Sequence, residues 1–159
     1  MNNSKVNKAG WTFLILLFVT TITISSCKKD EDVDQSAIDR ELIEQYVADH
    51  QLDGKYTASG LFYVIEKKGN GDYPYATAVV TVNYKGYLLN GTLFDEGDYF
   101  TAPLPNLIKG WQEGIQLIDA GGKIKLITPS HLAYGSQSVG SIPANSVLVF
   151  NVTLHSFQK

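Results

Sequence analysis

Apolar and polar positions alternate along most of the chain beyond residue 55. Val80, Val82 and Tyr84 are interleaved with Thr81, Asn83 and Lys85, the period-2 pattern of a strand with one buried face. Leu61–Glu66 and Lys123–Thr128 read as further strands. Val147–Phe157 reads as the last one, with Phe150, Val152 and Leu154 on one face. Asn90-Gly91 follows the first of these runs and predicts a hairpin, since both residues tolerate positive φ. The returning strand is expected to end at Phe94-Asp95, with Glu96–Pro105 an irregular loop containing Pro103 and Pro105. A short helix is predicted around Gly110–Gly114 (GWQEG), terminated by Gly121-Gly122, and Pro129–Asn145 reads as a long Gly/Ser loop. The period changes in 36–50. Ile38, Leu42 and Tyr46 recur every four residues beside Ile43 and Val47, predicting a helix capped by Ser36 with Asp39 and ended by Asp53-Gly54. The sum is an α+β domain of several antiparallel strands around one short helix, preceded by an N-terminal helix.

The first 26 residues follow a different rule. Lys5 and Lys8 precede an apolar stretch, Trp11–Ile24, which is short of the roughly 20 residues that span a bilayer. This is the form of an export signal. It runs into Ile24-Ser25-Ser26-Cys27, which resembles the lipobox of bacterial lipoproteins, in which the Cys is lipidated and becomes the mature N-terminus. Cys27 is the only Cys of the chain, so no internal disulfide framework exists. The expected organisation is a signal peptide over 1–26, a charged tether over 27–35, a helix over 36–55 and a folded domain over 56–159. The tether KKDEDVDQ also resembles the surface-export signal of some bacterial lipoproteins. A lipid-anchored protein of the cell envelope follows, on the outer membrane and facing the periplasm or the surface.

Composition narrows the function. The chain is 44% hydrophobic and 18% charged, which suits a packed core. Its net charge is −3, and loss of the two signal-peptide lysines leaves 11 basic against 16 acidic side chains, or −5. No basic cluster lies beyond the first residues, so nucleic acid is not an expected partner. His50, His131 and His155 are far apart and lack ligand spacing, so no metal site is suggested. The glycines at 69 and 71 do not form a dinucleotide fingerprint, because no third glycine and no helix follow.

Six segments then occur in one order: VNYKGYL at 82–88, the Asn-Gly turn, Phe94-Asp95, LIKGWQEG at 107–114, AYG at 133–135, and IPANSVLVFNVTL at 142–154. Any one alone means little. Together, over Tyr56–Phe157, they resemble the FKBP-type peptidyl-prolyl cis-trans isomerases. The resemblance implies a strongly twisted antiparallel sheet wrapped on the helix, with an aromatic pocket between them. Carried over by motif, Tyr84, Phe94, Asp95, Trp111, Tyr134 and Phe150 would be catalytic, and Phe100, Leu107, Ile108 and Ile142 would contact substrate. The usual pocket aromatic in the segment after Asp95 is either Phe100 or Tyr99. Ser136–Ser141 departs from the family where members often carry a larger residue over the pocket.

The implied chemistry needs neither nucleophile, metal nor cofactor. Rotating an X-Pro bond breaks amide resonance against a barrier of about 18–20 kcal/mol. The twisted amide is less dipolar than the planar one, so a dry aromatic pocket favours it. Trp111 would be the floor, with Phe94, Tyr84 and Phe150 as walls. The Ile108 N–H and the Tyr134 hydroxyl would donate to substrate carbonyls, and Asp95 would orient Tyr84 or polarise the amide. The implied partners are proline-containing polypeptide clients and macrolide inhibitors. The chain would be a monomer, or a weak dimer through the 36–50 helix. Two other classes compete with an isomerase: a non-catalytic peptide-binding or chaperone module on the same fold, and a structural surface lipoprotein without a pocket. The joint presence of Asp95, Trp111 and Tyr134 favours the enzyme.

Overall fold

The structure, a computed structural model, describes residues 34–158; the signal segment and Cys27 lie outside the described residues. Helix α1 (Gln35–Asp49) is followed by strands β1 (Lys55–Tyr56), β2 (Phe62–Lys67), β3 (Val79–Leu88) and β4 (Leu93–Pro103). Helix α2 (Lys109–Gly114) and strands β5 (Lys123–Thr128) and β6 (Leu148–Gln158) complete the domain. The six strands form one antiparallel sheet in the order β1-β2-β5-β6-β3-β4. This is the α+β architecture read from the alternation, with an N-terminal helix ahead of it.

Both faces of the sheet carry apolar side chains, and each face has its own helix. Val80 and Val82 of β3, Ile124 and Leu126 of β5, and Leu148, Phe150, Val152 and Leu154 of β6 pack against Trp111, Ile115 and Ile118 of α2 and the turn after it. Gly110 and Gly114 let α2 come this close. A Cβ on Gly114 would lie 2.6 Å from a Leu126 methyl, and one on Gly110 would run into Thr128. On the opposite face Phe62, Ile127, Val147 and Val149 are covered by Ile43 of α1. Farther along β6 that face turns polar at Asn151, Thr153 and His155, beyond the α1-covered cluster. The sequence therefore records how far α1 extends over the sheet.

Four details of the pattern reading change. First, α1 is capped by Asp34, whose carboxylate accepts from the backbone N–H of Ser36 and Ala37, and not by Ser36 with Asp39. Its buried line is also rotated. Ile43 is 1% exposed and Asp39 equally buried, whereas Ile38 and Leu42 stay 39% and 37% exposed. Second, the hairpin loop is Leu89-Asn90-Gly91, with only Gly91 at positive φ (+85°), closed by Gly91 N–H to Leu88 O and Leu88 N–H to Thr92 O. This is a three-residue loop and not a two-residue turn. Third, Glu96–Pro103 continues β4 instead of forming a loop. It escapes the alternation rule because it is the outermost strand and almost all of its side chains are solvated. Pro103 is tolerated there because it ends an edge strand. Fourth, α2 stops at Gly114 and continues as a single 3₁₀ turn over Ile115–Leu117. Gly121, at φ +86°, belongs to the turn into β5 and does not end the helix.

Candidate active site

Strands β3, β4 and β6, helix α2 and the loop after β5 enclose a cavity of about 280 Å³. β3 supplies Tyr84; β4 supplies Phe94, Asp95 and Phe100; the approach to α2 supplies Leu107 and Ile108. Trp111 comes from α2 itself, Tyr134 from the loop after β5, and Phe150 from β6. Nine of the ten expected pocket residues thus meet around one cavity. The tenth, Ile142, does not reach its wall. It is 6% exposed in the core beneath, where it exchanges two backbone hydrogen bonds with Val139 at 2.9 Å each. One lining residue was missed, Asn106, at the end of the 3₁₀ turn Leu104–Asn106. Its only sequence signal is its place immediately before LIKGW.

The rings interlock edge to face. Phe100 meets Tyr84 at 5.7 Å between centroids and Tyr84 meets Trp111 at 5.0 Å. Trp111 then meets Phe150 at 5.4 Å, and Phe150 meets Phe94 at 5.6 Å, all with interplanar angles of 68–90°. Each ring edge, slightly positive, faces a neighbour's π cloud, so each contact fixes an orientation and contributes about 0.5–1.5 kcal/mol beyond its burial. Gly86 makes room for this stack: a Cβ there would lie 2.6 Å from the Phe94 ring. Trp111 is 4% exposed, and its indole N–H has no acceptor among the described residues.

Two polar features stand against this apolar wall. The Tyr84 hydroxyl donates to Asp95 at 2.8 Å. Burial, then that hydrogen bond and the Asp95 charge, push the Tyr84 hydroxyl up to about 12. Burial and the same charge raise Tyr134 above its ordinary value. Tyr134 itself is 37% exposed. The Ile108 N–H, just ahead of α2, has no acceptor among the described residues, while the Ile108 carbonyl takes the first helical bonds from Trp111 and Gln112.

A bulge in β4 decides which aromatic enters the cavity. Val82 pairs with Phe100 but Tyr84 pairs with Gly97, so Asp98 and Tyr99 together stand opposite Asn83 and β4 carries one extra residue. Tyr99 sits at φ +51°, unfavourable for a bulky side chain. Its N–H donates to Asn83 Oδ1 at 2.7 Å, and its ring stacks on His155 at 4.5 Å, on the polar face of the sheet. The same amide oxygen lies 2.8 Å from His155 Nε2, which must carry the hydrogen because Oδ1 can only accept. Tyr99 is thereby turned outward and Phe100 inward.

Among the described residues no group of three or more His, Cys, Asp or Glu could hold a metal ion, and no helix is long and apolar enough to cross a membrane. The family model of the FKBP-type peptidyl-prolyl cis-trans isomerases matches residues 71–155. The chain belongs to this family. FKBP-type relatives agree over a longer span. FkpA of Aeromonas hydrophila is 44% identical over 141 residues, 86% of this chain and 52% of that protein. FkpA of Escherichia coli is 38% identical over 135 residues, 82% of this chain and 49% of that protein. The chain therefore spans about half the length of these relatives. The crystal structure of Escherichia coli FkpA superposes with a TM-score of 0.71 at 39% identity, covering 79% of this chain and 60% of the other. That of a peptidyl-prolyl cis-trans isomerase from Pseudomonas syringae gives 0.68 at 27% identity, covering 78% and 96%.

Proposed function

We propose that this FKBP-type chain catalyses cis-trans isomerisation of X-Pro bonds in exported polypeptides, held at the cell envelope by a lipid on Cys27. The observation that carries the catalytic part is the continuous run of edge-to-face rings, Phe100 to Phe94, along a cavity of about 280 Å³. A pyrrolidine ring fits such a cavity, with Trp111 beneath it and Tyr84, Phe94, Phe100 and Phe150 around it. Placing the prolyl amide among ring faces and edges removes water from its carbonyl. Water stabilises the planar, dipolar amide more than the twisted one, so its exclusion lowers the barrier. The Ile108 N–H and the Tyr134 hydroxyl are the donors that hold the flanking peptide while the bond turns. Asp95 accepts from Tyr84 and so fixes the ring that borders Trp111. Family macrolide inhibitors would occupy the same cavity.

The decisive measurement is cis-trans exchange in a short X-Pro peptide, followed by NMR or a protease-coupled assay. Wild-type protein is expected to accelerate it well beyond the uncatalysed rate. Binding of the peptide without acceleration would leave a non-catalytic binding module on the same fold. The anchor is supported by the Ile24-Ser25-Ser26-Cys27 motif, and its test is separate. Cys27→Ser should release the protein from the membrane fraction or accumulate uncleaved precursor. A wild-type protein that takes up no fatty-acid label would sink the lipoprotein reading while leaving the isomerase intact.

A further inference from the structure

We propose that α1 is part of the substrate-binding apparatus: through Asp39 and Ser130 it sets the backbone of the loop that carries Tyr134. The effect on rate rests on the isomerase reading above; the effect on the loop does not.

Asp39 lies on the face of α1 turned toward the sheet and is 1% exposed. No cation pairs with it among the described residues. Its Oδ2 accepts both the backbone N–H of Ser130, at 2.7 Å, and the Ser130 hydroxyl, at 2.6 Å; Oδ1 accepts from Gln35 Nε2 at 2.7 Å. A carboxylate withdrawn from water without a counter-ion is tolerated only when donors replace its hydration. An apolar residue would cover the sheet at lower cost, so this carboxylate reflects a demand for direction as well as burial. Gripping both donors of one serine fixes the orientation of its backbone and its side chain together.

Ser130 passes that constraint on. Its carbonyl accepts from Ala133 N–H at 2.9 Å and from Gly135 N–H at 2.8 Å, the residues on either side of Tyr134. Gly135 holds φ +59°, and its own carbonyl accepts from Asn145 N–H at 2.8 Å at the far end of the loop. His131 Nε2 lies 3.1 Å from the Ser59 carbonyl, a second tie at the loop's root. Tyr134 is thus bracketed by two bonds to a residue whose own donors are held by α1. Residue 39 lies outside the segment matched by the family model, 71–155. The geometry makes Asp39 a positioning residue for Tyr134, acting through Ser130.

The test uses the full chain carrying Asp39→Asn or Ser130→Ala, each with and without Tyr134→Phe. Amide hydrogen exchange at Ala133 and Gly135 reads the loop directly. Both amides should exchange about tenfold faster or more in Asp39→Asn while β6 amides keep their protection. Ser130→Ala, which retains the N–H bond to Asp39, should show a smaller rise. In peptide isomerisation Asp39→Asn should lose about five- to tenfold in kcat/KM. That loss should shrink to within about twofold in the Tyr134→Phe background, because the positioned hydroxyl is already gone. A merely structural role predicts the same loss in both backgrounds, and that result would overturn the proposal. Unchanged protection of the two amides in Asp39→Asn would overturn it as well. Should Asp39→Asn fail to fold, Ser130→Ala carries both comparisons with its smaller expected rise, and unchanged protection of the two amides or an equal rate loss in both backgrounds would overturn the proposal. A wild-type protein without isomerase activity would refute the enzyme reading, and the exchange measurement would still decide whether α1 holds the loop.

Discussion

Tyr84 shows how one side chain serves both stability and the site. Its hydroxyl, buried and bonded to Asp95, titrates near 12 against an ordinary value of 10.0. Below pH 10 the group is protonated in folded and unfolded chains alike and contributes no pH dependence. Between about pH 10 and 12 the unfolded chain has released the proton that the folded chain retains, so stability falls as pH rises. Tyr46, Tyr56 and Tyr134 are raised by burial and act in the same direction. Melting temperature measured from pH 8 to 11.5 should therefore decline above pH 10, and less steeply in Tyr84→Phe than in wild type. Catalysis separates the site's residues differently. Tyr134→Phe removes one hydroxyl from a half-exposed ring, so stability should change by no more than about 1 kcal/mol. Its kcat/KM should fall severalfold, and Asp95→Ala, which also frees Tyr84, should fall further, each tenfold corresponding to about 1.4 kcal/mol. Melts run beside the peptide assay check this: losses that merely follow melting temperature would make these residues structural.

At the scale of elements, the β4 bulge is the feature with the most direct consequence for the cavity. Asn83 accepts from Tyr99 N–H and from His155, and this clip holds a backbone conformation that tyrosine does not favour. Asn83→Ala should let the bulge relax and free Phe100 from its place against Tyr84. The expected outcome is a raised KM for peptides with little change in kcat, and a cooperative melt retained within a few degrees. An unchanged KM would show that Phe100 holds its position without the clip. The bulge also shows where reading by pattern stops. β3 is legible because one face is buried and period 2 survives, and β5 and β6 keep that period over Lys123–Leu126 and Asn151–His155, away from the cluster that α1 covers. β4 is not legible, because most of its side chains are solvated and its bulge breaks what alternation remains. The choice between Phe100 and Tyr99 depends on one extra residue in β4, which only the pairing register reveals. In α1 the pattern misleads for the opposite reason. A polar residue, Asp39, occupies the buried line, so the apolar stripe points about one residue away from the true contact. The order of the motifs, by contrast, singles out ten residues of which nine line one cavity. Ile142 is the exception: it is buried in the core beneath the cavity.

The described residues form a sheet buttressed on both faces, and the two buttresses have different tasks. α2 closes the face that holds the cavity, while α1 covers Phe62, Ile127, Val147 and Val149 on the other. A domain boundary at Tyr56 is proposed from the motifs, and a chain beginning there tests what α1 contributes. Its removal uncovers those four side chains and forfeits the burial of Ile43, on the order of 3–6 kcal/mol by area. That is a large share of the 5–15 kcal/mol typical of a domain. None of the side chains lining the cavity comes from α1, so the aromatic stack should survive if the shortened chain folds. The expected result is a cooperative melt lowered by about ten degrees or more, a sheet spectrum retained at low temperature, and peptide binding preserved. Loss of Asp39 releases Ser130, so kcat/KM in the shortened chain should fall by about the factor seen for Asp39→Asn, and the Tyr134 hydroxyl should again account for it. A shortened chain with no cooperative transition would place α1 inside the folding unit and move the boundary to its start. An unchanged melting temperature would say instead that the Ile43 contact contributes nothing that solvent does not replace.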